Sequence, residues 1–144
     1  MFKKIAIAFI AFISASAASI TMVQAKDVEV HAQNVEAHVT SSVIQSGTFK
    51  GLSNHVTTGG VSIIKTGSGH IAILESNFDL DGAPAPTLGF GNGEFDTETE
   101  FTKLESIKGL QVYAIPASIN PADYSQFYVW CADFSVPLGV ASFE

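Results

Sequence analysis

Arginine is absent from this sequence, and cysteine and tryptophan occur once each in 144 residues. A single cysteine excludes an internal disulfide, so the fold is not a disulfide scaffold. Without arginine, seven Lys face fourteen Asp and Glu, and the formal charge is −7. Nucleic-acid binders neutralise phosphates with clustered basic side chains; no such cluster exists here, which excludes nucleic acid as a partner. Charged residues make up only 15% of the chain and hydrophobic residues 47%, which excludes a disordered polymer. Several catalytic signatures are missing as well. No G-x-S-x-G elbow supports a serine hydrolase. Gly89, Gly91 and Gly93 are not followed by a Lys in phosphate-loop spacing, so they read as turn and bulge residues.

What is present begins with an address. Lys3 and Lys4 precede a nine-residue apolar run, residues 5–13, and Val23-Gln24-Ala25 supplies the small and apolar positions of a cleavage site. Residues 1–25 are therefore expected to be a secretory signal peptide. Ser14, Ser16, Ser19 and Thr21 interrupt the apolar run short of the ~20 residues a membrane span needs, so no stable span is expected after cleavage. The expected location is periplasmic or extracellular. Loss of Lys3 and Lys4 takes the formal charge from −7 to −9.

Residues 26–45 are expected to form an N-terminal arm. Val28, Ala32, Val35 and Val39 suit one helix face, whereas Val28, Val30 and Ala32 suit a strand. His31 and His38 would lie about 10 Å apart on a helix, too far for one metal ion. From residue 46 the pattern is β. Residues 60–66 and 70–75 are β-branched runs joined by Gly67-Ser68-Gly69, which predicts a hairpin. Residues 46–50, 87–90 and 109–115 are further short runs. Residues 125–131 are apolar on both faces, as in a central strand. Pro137 and Gly139 place the last run, 135–143, at an edge or a bulge. Seven or eight short strands without a long helix predict a single all-β domain over 46–144, an antiparallel sandwich or barrel.

Two acidic groups invite a metal reading. Asp79 and Asp81 ahead of Gly82 resemble half of a calcium loop, but position 88, where a closing Glu is required, is Leu. A hairpin turn in which Asp and Gly supply the geometry explains them better, and Asp79 and Asp81 are retained as a weak Ca²⁺ candidate. Glu94, Asp96, Glu98 and Glu100 alternate with Phe95, Thr97, Thr99 and Phe101, which predicts a solvated acidic face of an extended segment. Such a face attracts cations.

The most specific stretch is Trp130-Cys131-Ala132-Asp133-Phe134-Ser135-Val136, with Gly139 and Ala141 after it. It resembles the W-C-x-x-F-S-V-x-x-G-x-A signature of the DM-thirteen domain family. Gly47-Thr48-Phe49, His55 with Thr58-Gly59, Phe78 with Asp81-Gly82 and Pro84 or Pro86, and Tyr113 with Ile115-Pro116 resemble its other elements. The resemblance spans residues 46–144. It implies a secreted or surface-exposed β domain that takes part in electron transfer, found in larger members beside cytochrome-type DOMON domains. It further implies that a cysteine acts as a thiol or as a ligand to a prosthetic group such as haem. In this chain that residue is Cys131.

The local sequence does little to activate Cys131. A reactive thiol needs a positive charge or a helix N-terminus nearby. Its nearest charge is Asp133, and its nearest Lys is Lys108. Haem ligation is chemically more coherent than a naked thiol, because coordination itself deprotonates sulfur. Without C-x-x-C-H any haem is non-covalent, with His55 or His70 as a second ligand and Trp130 as a platform. Two other readings of Cys131 remain: a core thiol packed as a small hydrophobe, and an intermolecular disulfide. The expected function is thus a small exported electron-transfer module, without enzymatic activity of its own, that meets a redox partner protein. Its rival is a non-catalytic interaction module with an acidic, cation-attracting face.

Overall fold

The computed structural model describes residues 40–144. The expected signal peptide and most of the expected arm lie outside the described residues. Ten strands follow in order: β1 (Ser42–Gly51), β2 (Thr57–Thr58), β3 (Gly60–Thr66), β4 (Gly69–Leu74), β5 (Asp79–Leu80), β6 (Pro86–Gly91), β7 (Thr102–Lys103), β8 (Gln111–Ile115), β9 (Gln126–Cys131) and β10 (Val136–Phe143). Eight of them form one antiparallel sheet in the order β7-β6-β9-β10-β1-β3-β4-β8. The sheet curls into a nearly closed, barrel-like sandwich. β2 and β5 form a separate two-stranded patch. The fold is all-β, as the patterning predicts; the helical segments among the described residues are two short 3-10 turns, Thr97–Thr99 and Pro121–Asp123. None is long and apolar enough to cross a membrane.

Alternation decides the inside. In β9, Phe127, Val129 and Cys131 point into the core and are at most 1% exposed. Side chains two apart on a strand share a face, so Tyr128 and Trp130 take the opposite one. Phe127 anchors an aromatic centre, meeting Phe90 edge-on at 5.0 Å and Phe49 at 6.3 Å. β9 lies between β6 and β10, as a run apolar on both faces requires. β10 also lies inside the sheet, between β9 and β1, so of its two expected placements the edge is not found and the bulge is. Pro137 is instead absorbed by a register shift between Pro137 and Gly139. There the Thr57 hydroxyl donates to the Leu138 carbonyl at 2.8 Å, giving the shifted backbone a partner.

The acidic segment departs from its expected form. Residues 97–99 coil into a 3-10 turn instead of an extended strand, so the alternation fails there. Asp96 caps that turn, its Oδ1 accepting from the Glu98 amide at 3.0 Å. Thr99 is buried and bonds to the Phe90 backbone, accepting from its N at 2.7 Å and donating to its O at 2.9 Å. The segment folds back over the outer face of β6 and β9. It can approach closely because Gly89 and Gly91 lack side chains there: a Cβ on Gly89 would sit 2.6 Å from the Phe95 ring.

Candidate functional site

Cys131 ends β9, where it pairs with Pro86 of β6 and Val136 of β10. Its side chain is on the inner face and 1% exposed. The thiol donates to the Pro84 carbonyl at 3.1 Å. Residues 81–86 therefore form a strap over the sulfur. Beyond the thiol contact, the Ala132 amide donates to the Ala85 carbonyl at 3.1 Å. Pro84 and Pro86 each fix their own φ, and Gly82 and Ala85 adopt positive φ of 106° and 43°. The strap is a short, stiff segment with defined turns at both ends.

Its other end is held by His55. The ring Nδ1 lies 2.9 Å from Asp81 Oδ1, and the Val56 amide donates to Asp81 Oδ2 at 3.0 Å. A backbone bond runs back from the Asp81 amide to the Val56 carbonyl, 3.0 Å. The Val56 amide, followed by the His55 ring, holds the Asp81 carboxyl below its ordinary range. His55 thus acts on the strap from outside, as a partner of Asp81. Both groups are partly exposed.

The other sequence candidates separate. Asp79 bonds to Lys108, Oδ2 to Nζ 2.7 Å, while Asp81 faces His55; the two carboxylates have different partners. Among the described residues no group of three or more His, Cys, Asp or Glu gathers as a metal site. His70 pairs with Ile115 and Lys65, and the strand register places it at the opposite end of the sheet from Cys131. It lines a separate cavity of about 300 Å³ with Ile115, Ile119 and Asn120.

Trp130 lies on the outer face of β9. Its indole stacks on Phe95 with centroids 4.4 Å apart and planes 15° from parallel. Tyr128 meets Phe95 edge-on at 5.8 Å. These rings, with Leu52, Pro137, Gly93 and Glu94, line an open cleft of about 310 Å³. Burial first, then the Glu94 carboxylate, push the Tyr128 phenol up from its ordinary value. Sequence reasoning missed Phe95, which it paired with an extended acidic face. The available signal was glycine at 89 and 91, two positions on one strand face, which marks close approach of another segment.

The family elements now have a common geometry. His55 and Asp81 clamp one end of the strap, Pro84 covers the thiol, and Cys131 and Ala132 hold the other end. Residues 48–143 match the family described as electron transfer DM13. The chain belongs to that family. No curated protein and no solved structure matches it. Non-covalent haem on Cys131 does not fit this DM13 domain. The sulfur is sealed in the core and engaged with Pro84, neither cleft described above reaches it, and Trp130 faces away on the other side of the strand.

Proposed function

We propose that this protein is an exported electron-transfer domain, without catalysis of its own, in which Cys131 is the redox residue and the strap over residues 81–86 controls access to it. The observation that carries this reading is the convergence of three family elements on one strap above one thiol. Export rests on the leader pattern of residues 1–25, which points to the periplasm or the extracellular space. The compartment permits thiol–disulfide chemistry. With a disulfide as oxidant, the Cys131 proton leaves and its sulfur bonds to one sulfur of the partner. The partner S–S bond breaks, and its second sulfur departs as thiolate. In the cell the oxidant would be a disulfide-bearing redox partner protein.

The test is equilibration of the native protein with glutathione buffers of graded potential, acid trapping, and mass measurement of the thiol. A reversible transition under native conditions, absent in Cys131→Ser, is expected. A thiol that stays unmodified until the protein is unfolded would overturn the redox reading. That outcome would favour the second reading, a non-catalytic interaction module with Cys131 as packing. Its supporting observation is the 1% exposure of Cys131.

A further inference from the structure

The outer cleft is built without reference to the thiol, and its chemistry points to a ligand class. Trp130 and Phe95, both partly exposed and stacked on one another, form its aromatic wall, with the buried Tyr128 edge-on to Phe95. Glu94 lines the same cleft and has no hydrogen-bond or ion-pair partner among the described residues. The loop that carries Glu94 and Phe95 is pinned in place. The Gly93 amide donates to Gln126 Oε1 at 2.7 Å, the Ser125 amide donates to Asn92 Oδ1 at 2.7 Å, and Asn92 Nδ2 donates to the Asp123 carbonyl at 3.0 Å. Gln126 Oε1 also accepts from the Tyr128 hydroxyl, at 2.9 Å. The site is therefore formed before any ligand arrives, which limits the ordering cost of binding.

We infer that this cleft binds organic cations, seating an alkylammonium group against the aromatic wall with Glu94 as counter-charge. Aromatic faces attract cations through their quadrupole, most strongly for tryptophan, and a carboxylate adds direct attraction. A volume of about 310 Å³ is at the small end of ligand sites, about 300–1,000 Å³, and suits a small headgroup or a single side chain. Lys50 and Lys103 oppose a cation from the same outer face, each two strand pairings from the cleft. Their backbones lie roughly 10 Å from the cleft residues, and their charges act through solvent that screens over about 8 Å at physiological salt. Glu94, which lines the cleft, dominates. The site does not depend on Cys131.

The chain's one tryptophan is Trp130, so its fluorescence reports on this cleft alone. The experiment titrates the protein with choline, and in parallel with 3,3-dimethylbutan-1-ol, its uncharged isostere. Choline is expected to give a saturable change, and the isostere none in the same range. Glu94→Gln should weaken choline binding about tenfold or more, the loss of a charge contact to a cation. Cys131→Ser should bind choline like the parent, which separates this proposal from the redox reading. Equal response to choline and the isostere, an unsaturable response to choline, or unchanged affinity in Glu94→Gln would each overturn it. Circular dichroism melts of Glu94→Gln, an exposed position, confirm that the variant is folded.

Discussion

Cys131 and Trp130 are consecutive residues in opposite surroundings. The cysteine faces a closed core and meets one polar atom, the Pro84 carbonyl. The tryptophan faces outward, stacks on a ring from a distant loop, and lines an open cleft. The alternation of one β-strand makes this difference. It means that the most specific dipeptide in the sequence does not form one site. Chemistry at the sulfur must pass through the strap, and recognition at the indole must come from the other side of the sheet.

The largest test of that contrast is stability. Phe127→Ala, on the inner face, should cost about 3–5 kcal/mol through the cavity it leaves. Trp130→Ala should cost about 1–2 kcal/mol, mainly its stack and partial burial. Urea unfolding followed by far-ultraviolet circular dichroism reads both, and equal costs would break the comparison. Gly89→Ala comes next. Its Cβ would press on the Phe95 ring at 2.6 Å, so Phe95 should lift from Trp130. A loss of about 1–3 kcal/mol is expected, together with a changed Trp130 emission. Cys131→Ala should cost about 1 kcal/mol, the net worth of a hydrogen bond and a little packing. It should leave the emission of Trp130 unaltered, because its effect belongs to the other face.

The smallest effect concerns pH. Asp81 has a lowered folded-state pKa, so its contribution is present above the unfolded value of 3.8 and disappears as pH falls through the folded one. The strap clamp should therefore hold at neutral pH and loosen in acid below about pH 4. Hydrogen exchange of the Val56 amide, which donates to Asp81, should accelerate relative to the core of β9 as this range is crossed. Asp81→Asn should remove that pH dependence.

Much of the fold was legible because strands write their faces into sequence. The hairpin of β3 and β4 followed from β-branched runs around Gly67-Ser68-Gly69, and central β9 followed from an apolar run on both faces. The 3-10 turn at Thr97–Thr99 was not legible. Alternating Glu and Thr satisfy an extended pattern, and the turn is decided by long-range bonds from Thr99 to Phe90. The site was legible only in part. Cys131 stood out as the single cysteine, and His55 and Asp81 through their family elements. That His55 holds Asp81 instead of reaching the sulfur depends on where two loops meet, which no local pattern records. The same holds for the cover over Cys131, since Pro84 lies 47 residues earlier in the chain.

The most direct test of the account is the rate at which the single thiol is labelled by a small disulfide reagent in native conditions, in the parent and in Asp81→Asn. If the strap governs access, labelling proceeds by a local opening with weak urea dependence, and Asp81→Asn accelerates it severalfold more than its change in global stability explains. If labelling in both proteins shows the full urea dependence of global unfolding, the sulfur is reached only when the barrel comes apart. The strap would then be packing and not a gate.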